Sequence, residues 1–162
     1  MASLQIRPLT RLDNPQIAEV IRAVMPEFGA QGPGFAIHDP EVDAMHAAYS
    51  LVRAAYFVVE EDNRVVGGAG YAVLEGGDRD ICELRKMYFL PELRGRGVGA
   101  DILKFVLAQA AAAGFRRCYL ETLTGMDAAK TLYRRFGFET LDGPLGCTGH
   151  FGCDTWMIRD LD

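Results

Sequence analysis

The chain has 162 residues, of which 49% are hydrophobic and 24% are charged, a composition typical of one soluble globular domain over residues 1–162. Its net charge of −5 disfavours bulk binding to nucleic acid, because domains that bind polyanions are usually basic. It contains no run of about 18 apolar residues, so no membrane span is expected. Four cysteines are few for a disulfide scaffold, and the N-terminal sequence lacks the apolar core of a signal peptide, so we expect a reduced, cytoplasmic protein.

The first third of the chain alternates extended and helical patterns. Apolar residues recur on one face of the first helix, and glycine and proline mark the loop after it. The predicted elements are a strand over Ser3–Leu9, a helix capped by Thr10 or Asp13 and running to about Met25, a loop over Phe28–Ile37, and a helix that Asp39 caps, with Pro40 first, to about Ser50.

The middle of the chain predicts an antiparallel meander of three strands, over Ala55–Glu60, Arg64–Leu74 and Asp80–Leu90. Glycines at 67, 68 and 70 indicate a bulge or a close backbone approach in the second strand.

The rest of the chain alternates helix and strand. The predicted elements are a helix from Val98 that ends at Gly114, a strand over Arg116–Thr122, a helix over Asp127–Phe136 that Gly137 stops, and strands near Phe138–Leu141 and Cys153–Arg159. The order predicts an α+β fold with a mixed sheet and a strand–helix–strand crossover over residues 81–122.

The segment Pro91–Ala100 (PELRGRGVGA) joins the end of a strand to the start of a helix. The first N–H groups of a helix have no partner within it and attract anions, and glycines let the backbone approach a ligand closely. Arg94 and Arg96 add positive charge beside the same turn. The segment is therefore predicted to bind phosphate, and bare amides with two arginines suit a diphosphate.

Two kinds of phosphate site fit this segment. Gly95-x-Gly97-x-x-Ala100 has the spacing of a dinucleotide-binding turn, and Glu121 follows about 20 residues later, where a ribose-binding acid belongs. Against a dinucleotide, the strand before the turn belongs to a meander and is not apolar throughout, as a doubly buried parallel strand would be. Its polar residues are Glu83, Arg85 and Lys86.

Residues 80–138 resemble the core of the GNAT superfamily of acetyl-CoA-dependent N-acyltransferases. Arg94–Ala100 is similar to the family's acyl-CoA motif, Arg/Gln-x-x-Gly-x-Gly/Ala, and follows the strand CELRKMYFLPEL. Ala128–Phe138 (AAKTLYRRFGF) is similar to the downstream signature, in which "LY" precedes "GF". The resemblance implies a mixed, mostly antiparallel sheet flanked by helices, a β-α-β acyl-CoA-binding core, and acetyl-CoA as co-substrate without a metal.

The resemblance also implies where acetyl-CoA binds. Backbone amides of the turn would hold the pyrophosphate, and these belong to Arg94, Gly95, Arg96, Gly97, Val98, Gly99 and Ala100. Backbone groups of the preceding strand would hold the pantetheine arm and polarise the thioester carbonyl, at Met87, Tyr88 and Phe89. Core packing is the alternative role for the side chains of these three residues.

Two side chains are the implied proton-transfer groups. Tyr133 matches the family tyrosine that protonates the departing thiolate, and its alternative role is that of a half-buried tyrosine. Glu83 is the best match to the carboxylate that deprotonates the amine, and we expect it on the same face of the strand as Met87. Its alternative role is an ion pair, with Arg85 or Arg116, and Glu121 is a weaker candidate for the base.

The sequence departs from the family at the start of the last helix, where Met126 replaces an asparagine that contacts the cofactor arm in many relatives. Asp127 then caps the helix in our interpretation. Cys147-x-x-His150-x-x-Cys153 resembles half of a metal site but lacks a fourth ligand, so we interpret it as a tight connection whose His150 lines the acceptor pocket. The loop Phe28–Ile37 and the helix around Met45–Tyr49 are expected to complete that pocket.

The sequence thus predicts an N-acetyltransferase that acts on a primary amine of a small molecule, a peptide or a protein. The alternative from another class is a non-catalytic acyl-CoA-binding sensor. The sequence does not decide the oligomeric state, for which a homodimer is the default expectation.

Overall fold

Seven strands of the computed structural model, which describes residues 3–30 and 32–161, form one mixed sheet in the order β1-β2-β3-β4-β5-β7-β6. Of the predicted loop over 28–37, only residue 31 lies outside the described residues. The strands are β1 (Leu4–Pro8), β2 (Ala55–Glu61), β3 (Arg64–Val73), β4 (Ile81–Phe89), β5 (Arg117–Thr122), β6 (Glu139–Leu141) and β7 (Thr155–Asp160). The predicted α+β class is confirmed.

Helices cover both faces of this sheet: α1 (Asn14–Val24), α2 (Met45–Ala48), α3 (Val98–Ala112) and α4 (Asp127–Arg135). Alternate residues of β2 belong to two separate cores, because successive side chains of a strand point to opposite faces. Tyr56 and Val58 pack with α1, whereas Phe57 and Val59 pack with α3. Within the described residues, no helix combines the length and apolar character needed to cross a membrane.

The predicted helix after Asp39 is broken in two. A 3-10 turn (Pro40–Asp43) precedes α2, and between them Ala44 has φ −137° and ψ 42°, which no α-helix contains. Asp39 stands at the cap position without a side-chain capping bond. Its carboxylate instead binds Lys86 and His150, so a tertiary contact replaces the predicted local one.

The pairing is irregular opposite the glycines of β3, as predicted, but the extra residue of this bulge lies in β4. The register shifts between Gly68 and Gly70, so that two residues of β4, Lys86 and Met87, oppose one residue of β3. Lys86 takes φ 49°, and its carbonyl accepts a hydrogen bond of 2.6 Å from the hydroxyl of Tyr56. The close approach is confirmed too, because a Cβ on Gly68 would lie 2.6 Å from the ring of Tyr56.

The crossover over 81–122 is confirmed, with α3 between the parallel strands β4 and β5. Their pairing covers only Ile81–Glu83 against Arg117–Tyr119, so the edge of β4 that faces β5 is unpaired beyond that point. Every other strand pair in the described residues is antiparallel. The dinucleotide interpretation is therefore wrong, since that site needs a doubly wound parallel sheet.

Candidate active site

A groove of about 410 Å³ opens where β4 and β5 separate. The end of β4, the turn into α3 and the helix α4 form its walls. Eight of the residues predicted from the sequence to bind acetyl-CoA line it, namely Met87, Tyr88, Phe89, Arg94, Gly95, Gly97, Val98 and Gly99. Arg96 and Ala100 belong to the same turn but do not line the groove. The fold thus brings most of the predicted site together.

The turn before α3 presents a row of backbone N–H groups. The first hydrogen bond of the helix runs from the N–H of Asp101 to the carbonyl of Gly97, at 3.2 Å. In the described part of the chain, the N–H groups of the six residues before Asp101 have no acceptor. Gly95 and Gly97 take φ 77° and 78°, a left-handed conformation that glycine adopts without strain. These features fit a pyrophosphate.

The two arginines of the turn already have carboxylate partners. Arg94 lies 2.7 Å from Glu27 and stacks on the ring of Phe28, with 5.3 Å from the guanidinium carbon to the ring centroid. Arg96 lies 2.8 Å from Glu61. Their predicted contribution to phosphate binding stays a prediction, and binding through Arg96 requires its side chain to leave that carboxylate.

Tyr133 of α4 lies in the wall of the groove. Its ring packs edge-on against Phe138, and its hydroxyl has no hydrogen-bond partner within the described residues. Burial raises the pKa of Tyr133 well above its usual value, so the hydroxyl stays protonated at neutral pH. A neutral hydroxyl without a partner is suited to donate a proton to a group that enters the groove.

The bulge in β4 decides which face each of its residues occupies. Met87 packs with the core on the α3 side, together with Leu84, whereas Glu83 and Lys86 line a second cavity. The expectation that Glu83 and Met87 share a face is therefore wrong, because the extra residue at the bulge shifts the alternation by one. Tyr88 belongs to the walls of both spaces.

This second space, here called the acceptor cavity, has a volume of about 60 Å³. Two of the segments expected to shape an acceptor pocket line this cavity, through Phe35, His150 and Cys153. That an acceptor binds there stays a prediction. The helix around Met45–Tyr49 does not reach it, and that expectation is wrong: two residues of this segment line a different pocket, together with Leu9 and Tyr56. Tyr88 and Met126 form the wall between the acceptor cavity and the groove.

Glu83 is almost fully enclosed, with 3% of its surface exposed. Its Oε1 accepts a hydrogen bond of 2.7 Å from Nε of Arg85, so the predicted ion pair with Arg85 is present. Burial raises the pKa of Glu83, and Arg85 offsets part of that effect. A carboxylate with a raised pKa is a stronger base than an exposed one, so the ion pair and a catalytic role are compatible.

His150 connects the loop before β7 to two carboxylates. Its Nε2 lies 3.0 Å from both oxygens of Asp39, and its Nδ1 lies 3.7 Å from Oε1 of Glu121. The hydrogen bond to Asp39, with a smaller effect from the nearby carboxylate of Glu121, raises the pKa of His150 to about 9. His150 is therefore a cation at neutral pH, because its pKa lies above 7. Nζ of Lys86 lies 2.8 Å from the same Asp39 carboxylate.

Sequence reasoning missed the role of Asp39 and Lys86 in this cluster. Asp39 fits a helix cap equally well, and only its contacts with Lys86 and His150 reveal the other role. The available signal for Lys86 was a charged residue inside a buried strand, because a charge in such a place needs a partner.

The cysteines of the 147–153 segment do not converge with His150 on a metal site. In the described chain, the acids and histidine whose potential ligand atoms lie within 4.8 Å of one another are Glu83, Glu121 and His150. A protonated imidazole offers no lone pair to a metal, so the present hydrogen bonds do not favour one. The N–H of Cys147 binds the carbonyl of Glu75 at 2.7 Å, as suits a tight connection. That the site works without a metal stays a prediction.

Met126 occupies the N-cap position of α4. Its sulfur accepts a hydrogen bond of 3.4 Å from the hydroxyl of Thr122. The predicted cap at Asp127 is wrong, because this residue already lies in the first turn and no side-chain capping bond forms. At the position where the resemblance implied an asparagine, the wall between groove and cavity is therefore a thioether.

Comparisons with known proteins agree with this geometry. The acetyltransferase (GNAT) family model matches residues 17–138. The chain is 47% identical over 157 residues to a protein of Escherichia coli (strain K12) named uncharacterized N-acetyltransferase YjgM, and the match covers 96% of this chain and 94% of that protein.

Solved structures show the same fold. A GNAT-family acetyltransferase from Staphylococcus aureus Mu50 has a TM-score of 0.82 and 19% identity, covering 99% of this chain and 100% of the other. YncA of Salmonella typhimurium, described as a putative acetyltransferase with its cofactor acetyl-CoA, has a TM-score of 0.77 and 22% identity. The match covers 99% of this chain and 95% of that protein. The chain therefore belongs to the acetyltransferase (GNAT) family, and it is an acetyl-CoA-dependent acyltransferase.

Proposed function

We propose that the protein transfers the acetyl group of acetyl-CoA to the primary amine of a small molecule, a peptide or a protein, by direct attack in a ternary complex. One observation carries this proposal. A groove with free backbone amides and a neutral Tyr133 hydroxyl shares a wall with a cavity that holds the buried base Glu83.

The groove fits the parts of acetyl-CoA in order. The amides of Gly95–Ala100 hold the pyrophosphate, with Arg94 beside them. The unpaired edge of β4 over Met87–Phe89 offers backbone groups to the pantetheine arm and to the thioester carbonyl. An N–H aimed at that carbonyl oxygen stabilises the negative charge that develops on it during transfer.

The proton transfers use one carboxyl group, that of Glu83, and one hydroxyl group, that of Tyr133. A primary alkylammonium has a pKa near 10, so it must lose a proton before it attacks. Glu83 takes that proton, directly or through a water, and the amine nitrogen bonds to the acetyl carbon. As the carbon–sulfur bond breaks, the electron pair leaves with sulfur and Tyr133 gives its proton to the thiolate. The nitrogen, now bonded to the acetyl carbon, loses its surplus proton, and that proton returns through water to Tyr133. Besides proton transfer and charge stabilisation, the proximity of the amine and the thioester in the ternary complex contributes much of the rate.

The remaining expectations belong to the same proposal. All seven strands lie in one sheet, which supports a single catalytic domain over residues 1–162. All four cysteines are free thiols, which supports a reducing, cytoplasmic setting. A homodimer stays a prediction.

The proposal is tested with a panel of amines and acetyl-CoA, following the release of free thiol. We expect thiol release that depends on the amine, together with a calorimetric signal for acetyl-CoA alone. Binding of acetyl-CoA with no turnover on any amine would favour the acyl-CoA sensor. No binding of acetyl-CoA would overturn the assignment of the groove.

A further inference from the structure

The charged part of the acceptor cavity carries more positive than negative groups. Its lining includes two carboxylates, Glu83 and Glu121, and three cations, Arg85, Lys86 and His150. The cavity also opens to solvent, so its volume of about 60 Å³ does not limit an occupant that extends outward. The lining therefore suits an acceptor that brings a negative charge of its own.

The three cations differ in how fully they are already bound. Nζ of Lys86 lies 2.8 Å from Asp39, and Nε2 of His150 lies 3.0 Å from the same carboxylate. Arg85, in contrast, donates a hydrogen bond to Glu83 through Nε alone, at 2.7 Å. Among the cations of the lining, Arg85 is therefore the one with most of its donors left for a ligand.

The terminal nitrogens of Arg85, Nη1 and Nη2, remain available to a ligand. Nη1 lies 4.0 Å from Oε1 of Glu41, beyond hydrogen-bond distance, and neither nitrogen has an acceptor among the described residues. Within those residues, the hydroxyl of Tyr49 is the fully buried side-chain polar atom that lacks a partner, so both nitrogens of Arg85 reach accessible space. A guanidinium is a planar fork that binds a carboxylate through two parallel hydrogen bonds.

The proposed base lies directly beside this fork. Oε1 of Glu83 accepts the hydrogen bond from Arg85, and Oε2 has no partner in the part of the chain that the structure describes. When Glu83 takes the proton of the amine it becomes neutral, so Arg85 loses its closest anion, and a carboxylate on the acceptor can replace it. Because Glu83 and Arg85 are in contact, an acceptor that reaches both must carry its amine and its carboxylate close together, as an α-amino acid does.

We propose that the acceptor is a free α-amino acid with an apolar side chain, whose carboxylate binds the terminal nitrogens of Arg85 while its amine faces Oε2 of Glu83. This inference rests on the proposed function and narrows its class of acceptor. A peptide N-terminus fits less well, because an amide stands in place of the carboxylate. The side chain of the amino acid lies against the apolar part of the lining, formed by Met25, Ala30, Phe35, Ala36, Leu123 and Met126.

The first test compares leucine with leucinamide and isoamylamine, which keep the carbon chain and lack the carboxylate. We expect kcat/KM for leucine to exceed the other two by about 10-fold to 100-fold, because both lose the charge-assisted hydrogen bonds. The α-amine beside an amide has a pKa of about 8, below that of a free amino acid, so amine basicity alone would favour leucinamide.

Equal or faster turnover of leucinamide or isoamylamine would overturn the inference and leave the acetyltransferase assignment intact. Turnover of other amines with none of leucine would have the same meaning. If acetyl-CoA binds and no amine of any kind is acetylated, the proposed function fails, and this inference with it.

Arg85→Gln tests the residue itself, with Arg22→Gln as a matched control that removes the same charge from an exposed ion pair with Asp43. Because Arg85 also holds Glu83, both leucine and leucinamide should react more slowly, so the quantity compared is the ratio of their kcat/KM values. We expect Arg85→Gln to reduce the preference for leucine by about tenfold or more, and Arg22→Gln to keep it.

Calorimetry with acetyl-CoA shows whether each variant is folded, since Arg85 does not line the groove. An unchanged preference in folded Arg85→Gln, or an equal loss of preference in Arg22→Gln, would overturn the inference. If Arg85→Gln does not fold, Arg85→Lys is measured instead, with the same two outcomes, because lysine keeps the charge but not the fork.

Discussion

The groove and the acceptor cavity lie side by side, and they are built in opposite ways. The groove is formed by one continuous stretch, from Met87 to Gly99, with α4 as its far wall. The cavity is lined by charged side chains, and its His150 binds Asp39, which lies 111 residues away in the chain. In our proposal, acetyl-CoA is therefore recognised by a local motif, and the acceptor by contacts that only the fold assembles.

The largest effect is expected from Tyr133→Phe, which changes the chemistry of the groove but not its shape. General acid catalysis contributes about 10²–10⁴ to a rate, so we expect kcat to fall about 100-fold. KM for acetyl-CoA should not change. Tyr71→Phe is the control, because that tyrosine is equally buried and stacks on Phe115 away from the groove. Equal kcat values for the two variants would remove Tyr133 from the mechanism.

Glu83→Gln is the corresponding change in the cavity. We expect kcat/KM to fall about 30-fold, at the low end of what a general base contributes. The base acts when it is deprotonated, and burial raises its pKa, so wild-type kcat/KM should rise with pH through that raised value. The variant should lose this rise in a pH profile. A full rate with an unchanged profile would contradict the role of Glu83.

Gly97→Val separates the two regions, because it alters the groove alone. A residue with a Cβ is strained at φ 78° by about 1–2 kcal/mol. The free turn relieves this strain by leaving the binding conformation, so we expect Kd for acetyl-CoA to rise about fivefold to 30-fold by calorimetry. Gly143→Val is the control, since that glycine is not held at positive φ and has open space around it. Similar losses of affinity in both variants would show that backbone conformation at the turn is not what matters.

The smallest effect concerns the stability of the cavity. The folded protein raises the pKa of His150 from 6.5 to about 9, so its contribution to stability is complete below pH 6.5 and is lost as pH rises through 9. We expect the free energy of unfolding to fall by about 1 kcal/mol over that range, after allowance for solvent screening.

Urea denaturation at a series of pH values measures this effect. His150→Gln and Asp39→Asn should both flatten the dependence, since each removes one partner of the same contact. A dependence of wild-type size in His150→Gln would show that another group is responsible.

Local pattern was sufficient for most of the fold. Apolar periodicity identified the strands and the three longer helices, and Gly114 and Gly137 follow the ends of α3 and α4 in left-handed conformations, as predicted. The helix after Asp39 was wrong because the chain breaks it at Ala44, and the Asp39 side chain that was expected to cap it binds Lys86 instead. Helix and capping propensities do not account for a distant residue that binds the capping side chain.

The sequence by itself predicted the phosphate-binding turn of the groove, because glycines at fixed spacing and a following helix create free amides wherever the rest of the chain lies. Only the tertiary structure decided the acceptor cavity. The bulge at Lys86 moved Met87 to the face opposite Glu83, and long-range contacts placed Asp39 and His150 beside it. Local conformation follows from near neighbours, whereas the pairing of buried charges depends on which strands and loops the whole fold brings together.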